Sequence, residues 1–113
     1  MRRIFLKLAI GGMFFCLATL TVPTSVRAQN DAAKIYKTNC VLCHAADGSG
    51  DSSSGKSLGA KDLRSPEVQA KSDAELTEFI TAGKGKMPAF GKKLKAEDVK
   101  EMVTYIRDLA KKK

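Results

Sequence analysis

Cys40-Val41-Leu42-Cys43-His44 is the stretch on which the reading of this chain turns. Two thiols stand three residues apart, an imidazole follows at once, and His44 is the only histidine in 113 residues. Zinc needs four ligands, and these three side chains leave one to be found among carboxylates or water. A thioredoxin-like redox pair needs a strand and a crossover helix around its two cysteines, and no stretch of this chain alternates with the period of a strand. A plain disulfide leaves the histidine without a reason, and a pair at i and i+3 of a helix is poor disulfide geometry. Upstream, Ala32, Ile35, Tyr36, Cys40 and Cys43 recur at helical spacing, with Asn30 or Asp31 available as an N-cap.

The pattern is instead that of covalent attachment of one c-type haem through Cys40 and Cys43. On a helical turn the two thiols reach the two vinyl-derived carbons on one porphyrin edge, and the next residue swings beneath the iron. His44 is therefore the expected proximal ligand, through a neutral imidazole nitrogen. With no second histidine, the sixth ligand must come from elsewhere. Met102 falls on an apolar helical stripe and reads as core filler. Met87 sits in Gly83-Lys84-Gly85-Lys86-Met87-Pro88-Ala89-Phe90-Gly91, a glycine-flanked loop stiffened by proline at the methionine itself. Met87 is the expected sulfur ligand; an open or lysine-ligated iron is the alternative.

The chain around this motif is small and begins with a leader. Met1, Arg2, Arg3 and Lys7 form a positive start, Leu8 to Val22 is uncharged, and Val26-Arg27-Ala28 offers small residues around a break after Ala28. That is the pattern of a cleavable secretory signal peptide over residues 1–28, ahead of one domain over 29–113. The apolar run of 15 residues is shorter than the roughly 20 that span a bilayer, so stable membrane insertion is not expected. Arg2-Arg3 resembles a twin-arginine signal. Haem is joined to an unfolded chain outside the cytoplasm, however, which favours the general secretory route and a periplasmic, soluble product.

After cleavage 16 basic residues face 12 acidic ones, a net charge of +4, with lysine far ahead of arginine and no tryptophan. That balance points to acidic protein partners and not to nucleic acid. Only 19 of the 85 remaining residues are Leu, Ile, Val, Met, Phe or Tyr. So thin a stock of apolar bulk calls for a cofactor inside the fold.

The remaining punctuation predicts an all-α domain of about four short helices. Residues Ala45 to Asp62, rich in Gly and Ser and without any period, read as one long loop. Ser65-Pro66 opens a short turn to about Ala70, and Ser72 with Glu75 forms a capping box for a helix closed by Gly83. The last helix runs from about Ala96 to Lys111, with Val99, Met102, Val103, Ile106 and Leu109 on one face.

With these residues in view the sequence resembles the class I c-type cytochromes, the small bacterial single-haem electron carriers. The likeness rests on Ala32-x-x-x-Tyr36-x-x-x-Cys40-x-x-Cys43-His44, on Gly83 to Phe90, and on Tyr105-Ile106. It implies the cytochrome c fold, with the first and last helices crossing at Ala32 beside Tyr36 and Tyr105, where the family usually has glycine. It also implies a proline carbonyl holding the second histidine nitrogen, yet no proline lies between Ala45 and Ser65. Another carbonyl of the Gly/Ser loop is expected to serve. The implied role is an electron shuttle, not an enzyme, working as a monomer. It would take electrons from a quinol-oxidising complex or dehydrogenase and pass them to a terminal oxidase or similar acceptor, docking on acidic patches through Lys84, Lys86, Lys92, Lys93 and Lys95. A peroxidase-like enzyme or a gas-binding protein with an open sixth site is the alternative.

Overall fold

The computed structural model describes Leu20 and residues 24–112. Six helices follow in order: α1 (Thr24–Asn39), α2 (Val41–His44), α3 (Ser53–Leu58), α4 (Pro66–Gln69), α5 (Asp73–Ala82) and α6 (Ala96–Lys111). Among the described residues there is no strand, only an isolated bridge between Lys84 and Met87. The all-α expectation holds.

Most of the expected leader, residues 1–19 and 21–23, lies outside the described residues. Its last part does not: α1 begins at Thr24 and continues through Ala28, Asn30 and Asp31. In the full-length chain positions 30 and 31 thus stand inside α1 and not at its start. A second departure is α3, inside the stretch expected to be structureless. It lacks an apolar stripe, so no periodicity announces it; Ser52 caps its start by accepting the Gly55 amide, and Gly59 at φ +69° ends it.

The other signals act as read. Ser65 accepts the Val68 amide with Pro66 in the first turn of α4, and Ser72 and Glu75 satisfy one another's backbone amides at the start of α5. Asp98 accepts the Lys95 amide ahead of α6.

The core lies between α1 and α6, which pack against each other. Ala32, Tyr36, Val99, Met102, Val103, Ile106 and Leu109 are all buried. The Tyr36 and Tyr105 rings meet with centroids 5.0 Å apart, and Ala32 shares a small recess with Tyr105, which is the crossing the resemblance implied. Met102 is 1% exposed, consistent with a core role. Polar groups then tie α6 to the middle of the chain. Arg107 donates to the carbonyls of Gln69 and Lys71 (3.0 and 2.6 Å) and to the Asp73 carboxylate (2.7 Å). The Gln69 amide donates to the carbonyls of both Leu63 and Ile106, at 2.7 and 3.2 Å.

Candidate cofactor site

Cys40 occupies the joint between α1 and α2. Its amide still bonds to the Tyr36 carbonyl as part of α1, while its own carbonyl accepts the amides of Cys43 and His44 and so starts the next turn. Ala45 stops that turn at φ +62°, and its carbonyl accepts the Tyr36 hydroxyl at 2.7 Å. The single helix face expected for Tyr36, Cys40 and Cys43 is therefore broken at Cys40, which stands between α1 and α2 while Cys43 lies within α2.

The carbonyls at the end of α2 are held by the loop after it. The Ser52 hydroxyl lies 2.7 Å from the Leu42 carbonyl and 3.2 Å from that of Cys43, and Gly50 donates to the His44 carbonyl at 2.8 Å. A side chain at Gly55 would run into the Cys43 carbonyl, so α3 can lie this close only with glycine there. Ser52 and Gly55 escaped the sequence reading, although a serine before a helix-compatible run is an N-cap signal.

His44 Nδ1 lies 3.1 Å from the Lys61 carbonyl. A carbonyl can only accept, so Nδ1 carries the proton and Nε2 keeps its lone pair free. Lys61 thus supplies the carbonyl that the absent proline left open.

Met87 is held by a closed turn. Its amide and carbonyl exchange hydrogen bonds with those of Lys84 (2.9 and 3.1 Å) around Gly85 at φ +57°. The far end of the loop is pinned to α5 by Phe90 donating to Ile80 and Gly91 donating to Thr81.

Cys40, Cys43, His44 and Met87 all line one cavity of about 600 Å³, within the ~300–1,000 Å³ usual for cofactor pockets. Much of the rest is apolar, including Leu63, Val68, Leu76, Ile80 and Ile106. This hollow is where the missing apolar bulk belongs. Burial, and secondarily the neighbouring Cys43, push the Cys40 thiol up to about 11, so it stays protonated at neutral pH. Burial likewise raises the Tyr36 hydroxyl well above the usual phenol range, keeping it a donor to Ala45. Among the described residues, no three His, Cys, Asp or Glu side chains converge as a bare metal site. Two thiols, an imidazole with one nitrogen committed, a thioether and apolar walls fit a haem.

The lysines divide differently from the expectation. Lys84, Lys86 and Lys93 line the cavity, Lys92 and Lys95 do not, and Lys61 and Lys71 join from the other segments. Lys71 and Lys84 both stand over the Phe79 ring, at 5.4 and 4.7 Å from its centroid.

A family described as cytochrome c oxidase, cbb3-type, subunit III matches residues 27–106. The chain belongs to the class I c-type cytochromes. This cytochrome is 35% identical over 83 residues to cytochrome c6 of Gloeothece citriformis, covering 73% of this chain and 72% of that one. It is 32% identical over 89 residues to the cbb3-type cytochrome c oxidase subunit FixP of Azorhizobium caulinodans, covering 77% of this chain and 29% of FixP. The solved structure of the KustC0563 c-type cytochrome superposes with a TM-score of 0.63 at 35% identity, over 70% of this chain and 96% of that one. The cytochrome carries covalently bound haem c and is a haem-based electron carrier. No helix among the described residues is long and apolar enough to cross a membrane.

Proposed function

We propose that this cytochrome is a periplasmic single-electron shuttle, its haem joined through Cys40 and Cys43 and its iron held by His44 and Met87. The observation that carries the reading is the meeting of these four side chains on one largely apolar cavity, with His44 Nδ1 already committed to the Lys61 carbonyl. Bound haem supplies a one-electron iron couple. His44 offers Nε2 as a neutral donor, made more basic by the hydrogen bond at Nδ1. Met87 offers a soft sulfur that favours the ferrous state and raises the potential, and its turn keeps that sulfur at the cavity. The apolar walls exclude water from the site.

With His44 and Met87 both holding the iron there would be no place for a substrate on it, so the protein is a carrier and not an enzyme. A peroxidase-like or gas-binding protein would need the Met87 position vacant and a distal acid or base. The loop offers Lys84 and Lys86, and the one carboxylate lining the cavity among the described residues, Glu67, is paired with Lys61 at 3.3 Å. The lysines at the cavity suit an acidic face on redox partners. A quinol-oxidising complex or dehydrogenase is the donor and a terminal oxidase the acceptor, a role in keeping with the oxidase subunit among its relatives. The leader over residues 1–28, cut after Ala28, sends the chain through general secretion to the periplasm, where it works as a monomer.

A redox titration of the purified protein followed by visible absorption tests the reading. A sulfur-to-iron charge-transfer band in the oxidised protein and slow or absent carbon monoxide binding by the reduced protein are expected. Rapid carbon monoxide binding would favour the open-site alternative.

A further inference from the structure

His44 is held at both ends by one pair of loop segments. Its backbone carbonyl accepts from Gly50 at 2.8 Å and its ring donates to Lys61 at 3.1 Å. The two segments are joined to each other: Leu63 donates to the Gly48 carbonyl at 2.8 Å, and a Cβ at Gly50 would lie 2.8 Å from the Ala60 carbonyl oxygen and 3.2 Å from that of Lys61. Lys61 lacks the fixed φ of a proline, and its ammonium reaches only an exposed pair with Glu67, too well solvated to stiffen the backbone.

Stiffness is available one residue further on. Asp62 Oδ1 accepts both the backbone amide and the Nε of Arg64, at 2.8 and 3.0 Å, and Oδ2 accepts a terminal nitrogen at 3.2 Å. The other terminal nitrogen of Arg64 reaches Asp47 Oδ2 across the gap at 3.4 Å, and Asp47 Oδ1 accepts the Ser49 amide. The Arg64 side chain is only 21% exposed, so this fork is ordered against the protein and not spread in solvent.

We propose that Arg64 is a positioning residue that braces the loop at Asp62 and Asp47, fixes the Lys61 carbonyl against His44 Nδ1, and so sets the iron's potential. The inference rests on His44 being an iron ligand. Its signature is the sign of the change. Loosening the Nδ1 hydrogen bond makes the imidazole a poorer donor, destabilises the ferric iron and raises the potential. Removing a nearby positive charge favours ferric iron and lowers it.

The experiment uses the haem-loaded protein with Arg64→Lys, which keeps the charge but loses the fork, and Arg64→Gln, which loses both. Potential is read by redox titration, and the His44 ring-proton exchange by NMR, with α6 amide protection as the check on folding. Arg64→Lys is expected to raise the potential and speed ring-proton exchange while α6 protection stays at its wild-type level, and Arg64→Gln to lie below Arg64→Lys in potential with equally fast exchange. Wild-type exchange and potential in Arg64→Lys, or a lowered potential in Arg64→Gln with unchanged exchange, would overturn the proposal. If Arg64 variants fail to fold, Asp47→Asn cuts one arm alone and must still speed ring-proton exchange. Absence of paramagnetically shifted His44 resonances in the oxidised wild type would instead remove the ligand assignment itself.

Discussion

Lys84 and Met87 exchange both of their backbone hydrogen bonds, at 3.1 and 2.9 Å, so the thioether of Met87 projects from a closed turn and not from a slack loop. A donor held in this way forms a metal bond with less ordering left to do.

Replacing Met87 by alanine is therefore expected to leave haem attached, lower the potential and open the iron to added imidazole or carbon monoxide. Met102→Leu, inside the core, is expected to cost less than about 1.5 kcal/mol and leave the spectrum unchanged. Persistence of the sulfur-to-iron band in Met87→Ala would assign the sulfur elsewhere.

The two glycines of this loop separate conformation from space. Gly85 has φ +57° with open space around it, so Gly85→Ala is expected to cost only the left-handed penalty, about 1–2 kcal/mol in denaturant unfolding. Gly83 has φ +74°, and a Cβ there would stand 2.6 Å from the Met87 carbonyl oxygen. Gly83→Ala is expected to cost more than Gly85→Ala and also to weaken the charge-transfer band; equal losses in both readouts would count against it.

Attachment is tested by extraction. Haem is expected to stay with the wild-type chain through acid-acetone treatment and denaturing electrophoresis. Cys40→Ala with Cys43→Ala is expected to yield little folded protein, because a cavity of about 600 Å³ then opens into the middle of a thin core. Freely extracted haem would contradict the thioether assignment.

Electron transfer to an acidic partner protein is expected to slow as salt rises, since attraction is screened over about 8 Å at physiological ionic strength. Reversing Lys84 and Lys86 to Glu at the cavity is expected to flatten that dependence in stopped-flow measurements. Reversing Lys111 and Lys112 at the end of α6, where Lys111 is already paired with Asp108 at 2.9 Å, is expected to matter less. A rate indifferent to salt would make the cavity lysines ordinary surface.

What could be read from the sequence was what side chains announce. The Ser72–Glu75 box, Pro66 behind Ser65 and the stripe from Val99 to Leu109 each carry their signal in residue type and spacing, and each stands where expected. The motif and Met87 stood out because sulfur and imidazole are scarce in this chain, and the fold brings them to one cavity. The Lys61 contact was not, since every residue has a carbonyl and only the folded loop decides which one meets His44. Helix α3 was hidden for a related reason: it is held by the Ser52 cap and a glycine-close approach to Cys43, not by an apolar face. The start of α1 at Thr24 belongs to the full-length chain, whereas Asn30 and Asp31 are caps only where nothing helical precedes them, as in a chain beginning at residue 29.

The Gln69 amide nitrogen gives its protons to the carbonyls of Leu63 and Ile106, joining the strap before α4 to the last helix. Spontaneous deamidation would turn this donor into a carboxylate pressed against two acceptors, with the nearby Arg107 guanidinium, 3.4 Å from Gln69 Oε1, as its only relief. One lost ammonia would then set a negative charge against the two carbonyls that fasten α6 to the strap beside the cavity.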